Sequence, residues 1–353
     1  MFRRTPLRSL RSLRPLRSAL RAALGNMSAA ATMAATAVTV VFAGLAAASP
    51  AAAANDTAQA IRIVVPVAAG GSADKLARTL APRLSEKWGR PVVVVDNVVG
   101  ASGTLGAAQV AKARPDGSTL LLAGEGVTLN AVLYKSLPYD SGRAFRGVTK
   151  AVVNPQILVV RPDLGVKTFG EYAALVKKRP GEIALGLPGN GGIAHVAHEM
   201  LARQLGIRVN YIPYGGGAPA TMDLLGGHID ATLITLAAVT DYVRSGRLTA
   251  LAVTTPYRAK ALPQVPTLAE SGVPGFAVES WQGLIAPAAT PTAVVEKLSR
   301  DVAAVLQAPA VRAQLEEAGY AVVGSTPQEL DATLTRDLPR YASVIAAAGI
   351  SLH

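Results

Sequence analysis

The chain has 353 residues, half of them hydrophobic, with 35 basic and 23 acidic side chains and no cysteine. The missing cysteine excludes disulfides, thiol catalysis, Cys-ligated zinc and a lipid-modified cysteine tether. The formal charge is +12, but seven arginines and no acid lie in residues 1–54, leaving 28 basic against 23 acidic residues, or +5. So small a surplus gives nucleic-acid binding no support, yet it suits a small anionic ligand.

The first 54 residues read as an export signal. Arg3, Arg4, Arg8, Arg11, Arg14, Arg17 and Arg21 precede an apolar run over 29–48, and Ala52-Ala53-Ala54 offers a cleavage site near Ala54. An uncleaved anchor is the alternative, because about 20 apolar residues can span a bilayer. Pro50 and the small-residue cleavage site favour cleavage, which predicts a soluble, monomeric periplasmic product. Arg3-Arg4 leaves the Sec and twin-arginine routes both open.

From residue 61 onward, β-branched runs alternate with helical stretches, the pattern of an α/β protein. The reading begins with a strand over 61–65, a helix over 74–88, a strand over 92–95, a helix over 103–113, and strands over 119–123 and 157–160. It continues with a helix over 169–178, a strand over 183–187, a helix over 194–205, a strand over 209–212, a helix over 219–225, a strand over 231–234, a helix over 238–245 and a strand over 250–254. An apolar run over 283–286 and helices over 292–306, 308–318 and 327–348 complete it. Residues left after signal removal suffice for two cores.

The first strand runs through Pro66 into Ala68-Ala69-Gly70-Gly71-Ser72 and a helix beginning near Asp74. Small residues allow close main-chain approach, and the unpaired N–H groups of the helix start favour an anion. Asp74 is equally readable as a helix cap. A second Gly-rich corner, Pro188-Gly189-Asn190-Gly191-Gly192 before His195, echoes the first, so two lobes facing one cleft are expected.

Two competing chemistries are weaker. His195, His198 and Glu199 fall at helical spacing and could share one face toward a metal, but no H-E-x-x-H pattern supports it, and capping or packing accounts for His195 more simply. Gly100, Gly103 and Gly106 followed by Glu125 imitate a dinucleotide fingerprint, which would make the protein an exported oxidoreductase; Ser102 stands where that pattern needs glycine. There is no G-x-S-x-G elbow and no clear acid–base pair, so neither catalysis nor a cofactor is expected.

Over 61–348 the chain resembles the extracytoplasmic solute receptors of tripartite tricarboxylate transporters, the Bug receptors. The resemblance is carried by the order and spacing of Pro66 to Asp74, Asp96-Asn97 before Gly100 to Gly106, Pro115 to Leu120, Gly189-Asn190-Gly191 with His195, and Ile212-Pro213-Tyr214. Asp223 to Gly227, Leu251 to Thr254, Val265-Pro266-Thr267 with Glu270, and Trp281-Gln282-Gly283 complete it.

It implies a two-lobed, type II-like periplasmic binding protein, each lobe a mostly parallel sheet flanked by helices, with residues 60–160 and 256–353 in one lobe and 161–255 in the other. A small organic carboxylate would be held between them by Ala68, Ala69, Gly70, Gly71, Ser72 and Asp74 on one side and by Gly189, Asn190, Gly191 and His195 on the other. Thr128, Tyr214 and Thr235 would be further walls. The partner implied is a membrane permease; a receptor serving a signalling partner is the alternative.

Leu187, Gly192, Gly215 and Ile234 depart from the family pattern, removing two hydroxyls, a cation and, in amino-acid-binding relatives, an aspartate. An ammonium group would then be buried without a counter-charge, so a carboxylate lacking an amino group is expected.

Overall fold

The computed structural model describes residues 60–89, 93–348 and 350; the proposed signal and Val92 lie outside them. In the first half of the described chain, β1 (Ile61–Val65), α1 (Ser72–Trp88), β2 (Val93–Asn97), a 3₁₀ turn (Ala101–Gly103), α2 (Thr104–Ala111), β3 (Thr119–Gly124), α3 (Gly126–Leu133) and β4 (Phe145–Val160) follow one another. Next come α4 (Phe169–Lys178), β5 (Ala184–Leu187), α5 (Ile193–Leu205), β6 (Asn210–Pro213), α6 (Gly217–Leu225), β7 (Ala231–Thr235), α7 (Leu236–Arg244) and β8 (Thr249–Val253). The remainder comprises β9 (Glu279–Pro287), α8 (Thr292–Gln307), α9 (Pro309–Ala318), β10 (Ala321–Val322) and α10 (Pro327–Ala348).

The strands form one curled sheet in the order β2-β1-β3-β9-β4-β7-β5-β6, with β8 and β10 also paired to β4. Parallel pairing joins β1 to β2 and β3, and β5 to β6 and β7. β1 lies between two parallel neighbours, which explains why every residue but Arg62 is apolar and buried. Leu76, Leu80 and Leu84 line one face of α1 and are fully buried beneath this sheet, each contributing roughly 1.5–3 kcal/mol through apolar burial.

The strand that organises the molecule is β4. Residues 145–155 pair antiparallel with β9, from Phe145 opposite Pro287 to Pro155 opposite Glu279, and residues 156–160 pair with β7. One half of the sheet therefore consists of β2, β1, β3, β9 and the start of β4; the other holds the end of β4 with β7, β5, β6 and β8. Separate cores lie under the two halves, one around Leu76, Leu80 and Val302, the other around Tyr172, Leu185 and Leu201.

The sequence reading is extended in several places. The strand over 157–160 is the end of a 16-residue strand, whose earlier part carries Gly147, Lys150, Asn154 and Pro155 and two irregularities in its pairing with β9, features that read as a loop. The eight-residue α3 and the two-residue β10 were not anticipated; α3 contains β-branched Val and Thr and is held by burial of Val127, Leu129 and Leu133 rather than by propensity. The helix over 103–113 is shorter than expected, a 3₁₀ turn leading into eight residues of α2.

At α4, Thr168 caps the helix by accepting from Glu171 N–H at 3.2 Å, and Glu171 accepts in return from the Thr168 N–H. Thr168→Ala should therefore cost about 1 kcal/mol in urea unfolding, with an unchanged denaturant slope.

Candidate ligand-binding cleft

The helices after the parallel strands start at the strands' C-terminal ends, where a crevice forms in open α/β sheets. A cavity of about 350 Å³ lies there. Six helix N-caps line it: Gly71 of α1, Gly103 of α2, Glu125 of α3, Gly192 of α5, Gly216 of α6 and Thr235 of α7. None of these N-cap residues bonds its own helix through its side chain, which leaves first-turn N–H groups for other acceptors; at α7 Asn154 Oδ1 takes that of Ala237 at 3.5 Å. By contrast, α4 begins away from the cavity and has the full capping box. Among the described lining residues there is no Lys, Arg or His.

Ser72 is the centre of the polar wall. Its Oγ accepts from Thr235 Oγ1 and from Gln282 Nε2, both at 2.8 Å, which leaves its own O–H to donate. Its carbonyl accepts from the buried Tyr320 hydroxyl at 2.6 Å. Thr235 and Gln282 come from different strands of the sheet, so this wall forms only when both halves are assembled. Gln282, Gln156 and Trp281 also line the cavity, and each retains a buried polar atom, Oε1, Nε2 and Nε1 respectively, without a protein partner.

Hydrogen bonds that join the two halves at the cleft include Thr235 to Ser72, Ala68 N–H to the Gly215 carbonyl at 3.2 Å, Ser102 Oγ to the Asn190 carbonyl at 3.0 Å and Lys75 Nζ to the Ala237 carbonyl at 3.3 Å. Ser102 and Ala101 both hold left-handed backbone, with φ of 52° and 44°. Such strain in non-glycine residues persists where surrounding contacts impose it; here Asn130 Nδ2 fixes the Ser102 carbonyl at 3.0 Å.

Of the residues singled out from the sequence, Gly71, Ser72, Gly189, Asn190, Tyr214 and Thr235 line the cavity. Ala68, Ala69 and Gly70 lie just outside it in the turn before α1, and Gly70 adopts φ +82°. Asp74 is the third residue of α1; it accepts from Gly70 N–H at 2.8 Å and pairs with Arg78 at 2.9 Å, holding the turn from behind. Burial works to raise the Asp74 carboxyl, but the Arg78 guanidinium and the Gly70 N–H outweigh it and keep it below the usual carboxylate range.

Gly191 and His195 likewise support the second corner from outside, with Gly191 N–H donating to His195 Nδ1 at 3.1 Å. Thr128 is buried on α3 behind the wall. The Tyr214 hydroxyl donates to Asp223 at 2.7 Å, while burial and then that carboxylate push it up to about 12. His198 is fully buried against Tyr211, with its Nδ1 2.8 Å from the Tyr211 hydroxyl.

The four departures from the family pattern divide evenly. Gly192 and Gly215 line the cavity, whereas Leu187 and Ile234 are buried and do not. Sequence reasoning missed Gln156, Asn130 and Ser280 outright. It met Gln282 only as part of a motif and Glu125 only as the end of a false fingerprint.

This two-lobed α/β fold, with a cleft at converging helix starts, is the architecture of periplasmic binding proteins. It superimposes with TM-score 0.79 on the periplasmic binding protein BugD, 36% identical over 82% of this chain and 98% of that one. It matches an R. palustris protein with adipate at TM-score 0.80 and 34% identity, covering 83% of this chain and 98% of the other. MatC from Rhodopseudomonas palustris with bound malate gives TM-score 0.77 and 29% identity over 81% and 98%. Protein BugT of Bordetella pertussis is 35% identical over 89% of this chain and 96% of its own length.

Residues 76–350 match the model of the tripartite tricarboxylate transporter family receptor. The chain belongs to that family of periplasmic solute-binding receptors, as its motif order implied. No helix among the described residues is long and apolar enough to cross a membrane.

Proposed function

We propose that this receptor captures a small organic carboxylate without an amino group and delivers it to the membrane permease of a tripartite tricarboxylate-type transporter. The observation that carries this reading is the convergence of six helix starts, none capped by its own N-cap side chain, on a cavity whose described lining has no basic side chain. Main-chain N–H groups and neutral donors such as Ser72 then hold the carboxylate, which helix dipoles favour. The apolar lining, including Val67, Val99 and Leu122, suits a hydrocarbon body rather than an ammonium group, and the acid in the lining, Glu125, already has both oxygens bonded to Ser280 and Trp281. The adipate and malate complexes of related receptors agree with this ligand class.

In this reading residues 60–160 and 256–353 form one lobe and 161–255 the other, and the first crossing falls at the end of β4, whose residues 156–160 pair with β7. A ligand touching both lobes binds the closed form better and shifts the equilibrium by that difference.

A thermal-shift screen of organic acids tests the ligand class. A ligand at a hundred times its Kd adds about 2.7 kcal/mol, a shift of several degrees. Aspartate or glutamate binding tightly while non-amino acids leave the melting temperature unmoved would overturn the reading.

Gly189→Leu supplies the matching control. A Cβ on this cleft residue meets nothing within 4 Å and its backbone is unstrained, whereas Gly70 and Gly191 have φ of +82° and +70° and would strain under any side chain. Gly189→Leu should abolish the ligand-induced shift while changing intrinsic stability by no more than about 0.5 kcal/mol.

A further inference from the structure

Glu125 is an acid in a cavity otherwise built for anions. It stands at the turn between β3 and α3, lines the cavity and is 6% exposed. Its Oε1 accepts from the Ser280 hydroxyl at 2.8 Å and its Oε2 from the Trp281 N–H at 3.1 Å, so both oxygens are fixed by β9. β9 also carries Gln282, whose Nε2 reaches Ser72, placing Glu125 along the same wall as the polar centre.

Among the described residues that face this carboxyl, no cation offsets it. β3 and α3 contribute no titratable side chain. β9 contributes Glu279, which accepts from the Tyr257 hydroxyl at 2.6 Å. From α10, which packs on α3, come Glu329 and Asp331, bonded to the Thr326 and Gly147 N–H groups, and Asp337, paired with Arg336 at 3.1 Å. Tyr139 adds a neutral hydroxyl to the lining. Burial outweighs the opposing bonds from backbone N–H groups and Ser280 and, with a smaller push from Asp337, raises the Glu125 carboxyl to about 7. An ionised ligand carboxylate in the same low-dielectric cavity raises it further, as when two carboxylates share a site.

We propose that Glu125 is a specificity-determining group of the cleft that enters the complex as the neutral acid, so that capture of the anionic ligand takes up one proton wherever the free carboxyl is ionised. The inference rests on the carboxylate reading above. The balance is simple: a solvent proton adds to the Glu125 carboxylate, the ligand stays ionised, and the Glu125 O–H becomes a donor. Ligands offering an acceptor oxygen to that wall are favoured, and above neutral pH every unit of alkalinity weakens capture.

Isothermal titration with adipate and with malate, from pH 5.5 to 9 in buffers of differing ionisation heat, tests this. The affinity should be flat below about pH 6, fall about tenfold per unit above pH 7.5, and be accompanied there by uptake of close to one proton. In Glu125→Gln the profile should be flat over the alkaline range, whatever the absolute affinity. Affinity that is independent of pH without proton uptake, or that rises with pH, overturns the proposal, as does a Glu125→Gln profile matching the wild type.

If Glu125→Gln does not fold, isotope-edited infrared spectroscopy of the wild type with saturating adipate at pH 8 replaces it. A persisting protonated glutamic acid band supports the proposal and its absence overturns it. Binding of neither acid at any pH overturns the carboxylate reading itself, an outcome distinct from binding that ignores pH.

Discussion

Gly283→Ala should destabilise the protein by about 3 kcal/mol or more, or prevent folding, although it adds a single methyl group. Gly283 lies on β9 between β3 and β4, opposite Ala123 on one side and Lys150 on the other. A Cβ there would press into the Thr149 carbonyl oxygen and lie 2.9 Å from Lys150 Cα. Both are backbone atoms of the adjoining strand, so no rotamer change relieves the contact; β9 must part from β4 at the centre of the sheet. Gly170→Ala is the control: it lies in α4 with nothing within 4 Å of its Cβ, and should stabilise by roughly 0.5–1 kcal/mol. Urea unfolding of the two variants checks both signs. A Gly283→Ala variant as stable as wild type would mean that the strands separate at this point without cost.

The second large effect is a loss of stability with rising pH in the ligand-free protein, traced to Glu125. Its carboxyl is raised from 4.5 to about 7 on folding. Below pH 4.5 it is neutral in both states and imposes no penalty. Between 4.5 and 7 the folded form keeps a proton that the unfolded form releases, so stability falls as pH rises, and above about 7 the full loss is present. A shift of this size corresponds to about 3 kcal/mol. The gap in unfolding free energy between wild type and Glu125→Gln should therefore move in favour of the variant by about that amount between pH 4.5 and 8.5. Parallel pH profiles for the two proteins would show that Glu125 ionises normally despite its burial.

Much of this architecture was legible in the chain. β1 and α10 lie where the sequence placed them, because an apolar β-branched run and a capped amphipathic helix each declare themselves locally. The long β4 did not: Gly147, Asn154 and Pro155 signal a loop, and only pairing with β9, more than a hundred residues later, makes 145–155 a strand. The site divides in the same way. Gly71-Ser72 and Gly189-Asn190 were visible as Gly-rich corners at helix starts. Gln282 and Gln156 were not, since a glutamine on a strand has no local mark of function and acquires one only when the fold brings Gln282 to Ser72, 210 positions away. Glu125 was seen for the wrong reason, as an acid at fingerprint spacing, and its environment rather than its spacing gives it interest.

The pairing of β3 with β9 has a further consequence, for the order in which the protein can assemble. β1, β2 and β3 are all complete by residue 124, but the outer edge of β3 finds its partner only when residues 279–287 arrive. A chain synthesised amino end first thus presents an open row of backbone donors and acceptors on β3 while more than 150 further residues follow, and open edges recruit other chains. Such distant pairing also slows folding. The segment that builds the first corner of the cleft is among the earliest to appear and among the last to be sealed, so nascent receptor would need shielding from its neighbours throughout that interval.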